Sequence, residues 1–145
     1  MINIRFADIN DIPKIMEFID RNWRKNHIMG KNRKLFEYQH LEDKEVRYVI
    51  GEDEEGKIYG TLGYILYNHS KNPDITSMMI KTIKNPRHIL GWDLARFLEK
   101  ETKCRFHVSP GINKRTAGIM VELGDDTLIK LKQYYRLNDL HKYEI

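Results

Sequence analysis

Two histidines, His107 and His27, carry the side chains best suited to moving a proton near neutrality, because an imidazole titrates there without help. His107 sits in a short apolar run, residues 105–108, and His27 in a polar connection that also holds Trp23, Asn26 and Gly30. The six histidines are scattered without metal-ligand spacing, and the single Cys104 cannot complete a zinc site of the usual kind, so no metal is implied. Its neighbours Phe106 and Val108 mark Cys104 as a buried thiol at a strand start and not a nucleophile. Two segments have the chemistry of ligand-holding turns. Residues 85–98 give a turn and then a helix with Gly91 near its head, and residues 113–124 read as a short helix from an Asn start to a Gly stop. Glycine lets backbone approach a pyrophosphate, and the N–H groups at a helix start bind anions. Lys81, Lys84 and Arg87, with Lys114 and Arg115, would reinforce those groups. Two strand-turn-helix units in tandem can hold one anionic, elongated ligand between them.

The elements that must position these groups can be read from periodicity. Ile2, Ile4 and Phe6 alternate with polar residues, as in a half-buried strand. Asp8 or Asn10 can then cap a helix with Pro13 in its first turn and Ile12, Ile15, Met16 and Ile19 on one face. Residues 35–41 form a short amphipathic helical piece. Residues 46–50 and 57–67 are strand-like and should pair antiparallel around the acidic turn at 52–56. Residues 75–83 make another strand, followed by a helix with Leu90, Leu94, Phe97 and Leu98 as its buried stripe. Residues 105–108 are the next strand, 112–123 the fourth helix, and 127–137 one or two closing strands. This order predicts an α+β fold: a mostly antiparallel sheet of six to seven strands, four helices on its two faces, and a parallel pair where the third helix crosses over.

Length and charge set the frame. The 145 residues with 41% hydrophobic content fit one domain, 1–145, with a packed core. The net charge of +4 comes from Lys and Arg mixed with Asp and Glu, which reads as a solvated surface; no basic run interleaved with aromatics speaks for nucleic acid. No stretch of about eighteen apolar residues predicts a membrane span, and the first residues lack the basic-then-apolar pattern of a secretory signal. A soluble cytoplasmic protein is the expectation.

The element order, joined to particular residues, resembles the GNAT acyltransferase superfamily, and the resemblance covers nearly the whole chain. Ile4, Arg5, Ala7, Asp11 and Ile12 look like the family's opening strand and helix. The family's cofactor turn, [Gln/Arg]-x-x-Gly-x-[Gly/Ala], can be set with its last position on Gly91; Leu94 is then in phase, but Pro86 and Ile89 stand where Arg and Gly would. Asn113, Ala117, Leu123 and Gly124 match the helix after the fifth strand, in which an Asn reaches the pantetheine arm and a Tyr seven residues on faces the departing sulfur. Here that position is Met120, which cannot protonate a thiolate. On the residues alone, Gly91 also fits an ordinary loop and helix start, and Asn113 a plain helix cap.

The resemblance implies an N-acetyltransferase that uses acetyl-CoA (coenzyme A) as co-substrate and a small-molecule amine as acceptor. It implies fourth and fifth strands that splay, with free backbone N–H groups near Ile80, Lys81 and Thr82 aimed at the developing oxyanion. Cofactor contacts would come from these residues with Arg87, Leu90, Gly91, Trp92, Asn113 and Ala117. His107 is the first candidate for the base and His27 the second; a neutral His107 packed under the third helix is the alternative. Asp74 and Glu37 are carboxylates able to anchor a cationic amine, or surface charges. Trp23, Asn26, His27, Tyr38 and Tyr134 mix aromatic and polar groups in a way that suits a sugar-like acceptor. These segments resemble GNAT proteins that acylate amino sugars in bacterial surface-polysaccharide pathways. Acylation of a protein or peptide amine and a non-catalytic CoA-binding domain stand as alternatives. Family members often form homodimers, which is an expectation here as well.

Overall fold

The computed structural model describes residues 1–87, 89–124, 127–130 and 132. The chain divides into two compact units, residues 1–111 and residues 112–145. In the first unit, five strands lie in the order β1 (Asn3–Phe6), β4 (Tyr48–Glu52), β5 (Ile58–Leu66), β6 (Asp74–Thr82) and β7 (Phe106–Val108). A separate two-stranded ribbon joins β2 (Leu41–Glu42) to β3 (Glu45–Val46). Neighbours in the main sheet are antiparallel except β6 and β7, which run parallel because α4 (Leu90–Thr102) carries the chain between them.

The opening strand leads into a 3₁₀ turn, Ile9–Asp11, where Asp8 and Asp11 form a reciprocal capping box ahead of α1 (Ile12–Asn22). Arg5 ties this turn to the sheet: it donates to both Asp11 carboxylate oxygens, at 2.6 and 3.0 Å, and to Glu52 at 2.7 Å. Burial pushes the Asp11 carboxyl up, but hydrogen bonds from Arg5 and the Asp8 N–H outweigh it and hold the group below the usual carboxylate range. Residues 23–27 then connect to a single helical turn, α2 (Ile28–Lys31), and to α3 (Arg33–His40), whose start is capped by Asn32 accepting from the Leu35 N–H at 3.0 Å.

Two glycines show which helix covers which face. A side chain at Gly60 would point at Leu90 and Leu94 of α4, whereas one at Gly63 would meet the Tyr48 ring on the opposite face. Tyr48 belongs to a core cluster with Ile12, Ile15, Phe18, Ile19, Met29, Phe36 and Ile50, so α1, α2 and α3 cover that side. On the other side α4 buries Leu90, Leu94, Ala95 and Leu98, and Phe97 packs against Phe6 with ring centroids 5.3 Å apart.

The α+β class, the antiparallel majority, the β4–β5 hairpin and the parallel crossover all follow the sequence expectation. The sheet has five strands among the described residues in place of six to seven. Of the expected closing strands, residues 127–130 carry no strand and 133–137 lie outside the described residues. In the second unit, α5 (Lys114–Leu123) is capped by Asn113, whose side-chain oxygen accepts from the Thr116 N–H at 2.9 Å.

Candidate functional site

The parallel ladder between β6 and β7 stops early. Three pairs form, Asp74 with Phe106, Ile75 with His107 and Thr76 with Val108, after which nine-residue β6 continues past the end of three-residue β7. Side chains bridge the divergence: the Thr76 hydroxyl reaches the Val108 carbonyl at 3.4 Å, and the Ser77 and Ser109 hydroxyls share a hydrogen bond. Beyond them β6 takes a bulge. Gly63 pairs with Met78 while Thr61 pairs with Lys81, so β6 holds one residue more than β5 there, and Met79 adopts φ +52°.

The bulge decides which groups face where. The Ile83 N–H donates to the Tyr59 carbonyl on β5 at 2.9 Å. Antiparallel ladders alternate, so the Thr82 N–H points away from β5, to the side where β7 supplies no partner. Counting back by two places the Ile80 N–H on that side as well. A Cβ built on Gly91 would lie 3.8 and 3.9 Å from the methyl carbons of Thr82 and Ile80, so these two side chains face the head of α4. Lys81 lies between them and projects to the opposite face by strand alternation.

The structure thus brings Ile80, Thr82, Leu90 and Gly91 together. A side chain at position 91 would make only ordinary contacts, so packing does not require a glycine there; it leaves the first turn of α4 bare where a ligand could approach. The Ile89 cap position makes no side-chain hydrogen bond to the helix start, and the N–H groups of Gly91 and Trp92 lie in the first turn, ahead of the helix ladder. Arg87 is held at this end by an ion pair with Asp93 at 3.1 Å, and its own N–H is oriented by the Asn85 side chain at 2.8 Å. Asp93 puts negative charge in the same turn, which its ion pair with Arg87 offsets. Trp92 carries the Arg96 guanidinium over its ring at 4.0 Å.

His107 faces α4. Its Nδ1 is 2.7 Å from Glu99 Oε1, and its Nε2 is buried without a partner among the described residues. Burial pushes the Glu99 carboxyl up, but its bonds to His107 and Arg96 prevail and hold it below its ordinary range. His27 caps α2, with Nδ1 accepting from the Met29 N–H at 3.2 Å, which leaves the proton on Nε2 when the ring is neutral. Trp23 and Asn26 share its connection; Asn26 is left-handed at φ +61° and its N–H bonds Asp20. Tyr38 projects from α3 and is 89% exposed. The two carboxylates are committed to ion pairs, Asp74 with Arg105 and Glu37 with Arg33. Cys104 is half-buried just before β7. Asn113 and Ala117 belong to the second unit, and Tyr134 lies outside the described residues.

Sequence reading missed the partners that hold these groups: Glu99 behind His107, the hydroxyls of Ser77 and Ser109, and the methionine bulge. Residues 75–83 read as an uninterrupted strand because neither glycine nor proline marks the break. Among the described residues, no group of three His, Cys, Asp or Glu could hold a metal ion, and no helix is long and apolar enough to cross a membrane.

No protein-family model matches the sequence, and no curated protein matches it. Solved structures do resemble the fold. An aminoglycoside acetyltransferase from an uncultured soil metagenomic sample, in complex with sisomicin, superposes with a TM-score of 0.72 at 15% identity, covering 94% of this chain and 97% of that one. A predicted acetyltransferase with acetyl-CoA from Clostridium acetobutylicum gives 0.62 at 16% identity, over 99% and 100% of the two chains. Glucosamine-6-phosphate N-acetyltransferase from Arabidopsis thaliana gives 0.61 at 16%, over 94% and 99%. With the bulged strand, its short parallel neighbour and the crossover helix, the chain has the fold of the GNAT acetyltransferases.

Proposed function

We propose that this protein transfers an acetyl group from acetyl-CoA to the amine of a small molecule, with an amino sugar as the favoured acceptor. The observation that carries the reading is the open side of β6 after its bulge, facing a helix start left bare by Gly91. Similarity to acetyltransferases whose named ligands and substrates are amino sugars, sisomicin and glucosamine 6-phosphate, supports the acceptor class. The residues fit the carrier in part: main-chain N–H groups are in place, while Arg87 is paired with Asp93 and must exchange that carboxylate for a phosphate.

Coenzyme A, when bound, supplies the activated thioester carbonyl. The protein's part is to hold and polarise. N–H groups at the head of α4, with Lys84 and Arg87 beside them, would hold the diphosphate. The Thr82 and Ile80 N–H groups are the donors for the acyl arm and its carbonyl oxygen. On the resemblance, Asn113 and Ala117 belong to the carrier's arm. His107, oriented by Glu99, is the first base for the amine proton, which requires the acceptor to reach its buried Nε2; His27 is the second. Trp23, Asn26, His27, Tyr38 and Tyr134 are assigned to the acceptor. Met120 offers no acidic proton, so the thiolate departs unaided; a thiol of pKa about 8.5 can do so, and general-acid help would be worth ~10²–10⁴ in rate.

Met120 also favours a second reading, a carrier-binding domain without turnover. Thiol release from acetyl-CoA, measured across amino sugars, polyamines and peptides, separates the two. Turnover strongest on amino sugars and reduced in Asn113→Ala supports the proposal; acetyl-CoA binding without turnover on any amine favours the second reading. Wild-type turnover of His107→Ala from pH 6 to 9 would remove His107 as the base.

A further inference from the structure

Tyr48 has no part in the chemistry described above, yet it is wholly buried and its hydroxyl ends at the bulge. Its ring stacks on Phe36 with centroids 5.3 Å apart, and His40 meets it edge-on at 4.7 Å, so two side chains of α3 clamp it. Gly63 is its cross-strand partner, and a Cβ there would lie 2.8 Å from Tyr48 Cζ. The ring therefore lies over β5 where a side chain is missing, and its hydroxyl comes within 3.8 Å of Met79 Sδ on the next strand. Gln39, also from α3, donates to the sulfur of Met78 at 3.1 Å.

A methionine at φ +52° is strained, and such a conformation persists where the surroundings over-determine it. The grip on Met78 and Met79 is that over-determination. Its consequence reaches the open side of β6, because removing the extra residue from the bulge would shift register by one and turn Ile80 and Thr82 to the other face. We propose that Tyr48 is a positioning residue: acting through Met79, it fixes the β6 bulge and so aims the free N–H groups of Ile80 and Thr82 at the acyl carrier. The inference rests on the acyl-transfer reading and adds the residue that sets the register of its backbone donors.

The test is a double-mutant cycle read by calorimetric titration with acetyl-CoA. Tyr48→Phe and Met79→Leu, which keep ring and volume, should each weaken binding by about fivefold, the worth of one hydrogen bond. The double variant should be no weaker than either single one, since both remove the same contact. Ile15→Val serves as control: it loosens the same core without touching the bulge, and should bind as the wild type does despite a lower Tm. Binding by Tyr48→Phe equal to wild type, additive losses in the double variant, or an equal loss in the control would each overturn this inference alone. No binding by the wild type would overturn the acyl-transfer reading and take the inference with it.

Discussion

His40 makes the stability of this fold depend on pH between about 4 and 6.5. The ring is fully buried between Phe36 and Tyr48, and neither nitrogen has a hydrogen-bond partner among the described residues. Burial pushes its pKa down from 6.5 to about 4, against a weaker opposing pull from the Tyr64 backbone. Between those two values the unfolded chain takes up a proton that the folded chain refuses. Stability therefore rises with pH from 4 to 6.5, is fully present above 6.5, and is lost as pH falls towards 4.

From these two values, acidification from pH 7.5 to pH 5.0 should cost about 2 kcal/mol through His40 alone. For a chain of this length that is a fall of roughly 4–8 °C in Tm. Urea unfolding of the wild type and of His40→Leu at both pH values isolates the effect. Carboxylates such as Asp11 and Glu99, held below their ordinary range, also lose stability on acidification, but they do so equally in both proteins. Leucine replaces a ring whose nitrogens have no well-formed hydrogen bond among the described residues and only a weak pull from the Tyr64 backbone, so the two proteins should be within about 1 kcal/mol of each other at pH 7.5. At pH 5.0 His40→Leu should be the more stable by about 2 kcal/mol. Identical pH dependence in the two would refute the reasoning, because it would mean that the ring accepts its proton while folded.

Three further outcomes are expected. Gly91→Ala should raise stability by about 0.5–1 kcal/mol, since its Cβ meets nothing closer than 3.8 Å, while weakening acetyl-CoA binding; thermal melts and titration give the two signs. Gly63→Ala should cost about 1–3 kcal/mol by forcing the Tyr48 ring aside, and adding Tyr48→Leu should restore most of it in urea unfolding. Asp11→Ala should cost about 2 kcal/mol, because it strips two hydrogen bonds from Arg5 and one from the Asp8 N–H, read by the urea midpoint.

Much of the fold was legible because its elements obey simple periods. Ile12, Ile15 and Ile19 mark one helix face, and the acidic turn at 52–56 separates two strands that do pair. The β2–β3 ribbon was not legible: its turn residues Asp43 and Lys44 are both left-handed, at φ +48° and +71°, without the glycine that signals such a turn. α2 is one turn long, too short to show a period, and it makes His27 a cap. His107 was placed on the right strand, but its facing towards Glu99 depends on an exposed Phe106 that the local sequence did not determine.

The open side of β6 was harder to read for a deeper reason. What gives it its character is backbone: the N–H groups of Ile80 and Thr82, a ladder that ends after three pairs, and a helix start without a side chain. Backbone groups are the same in every residue, so many sequences can build this arrangement provided the bulge and the divergence survive. Solved structures with a similar fold are 10–17% identical to this chain, which no family model matches. It also ranks perturbations. Exchanging Thr82 or Ile80 for another strand former should matter less to carrier binding than a change at Tyr48, Gly63 or Met79, which face the other side of the sheet but hold the register that aims those groups.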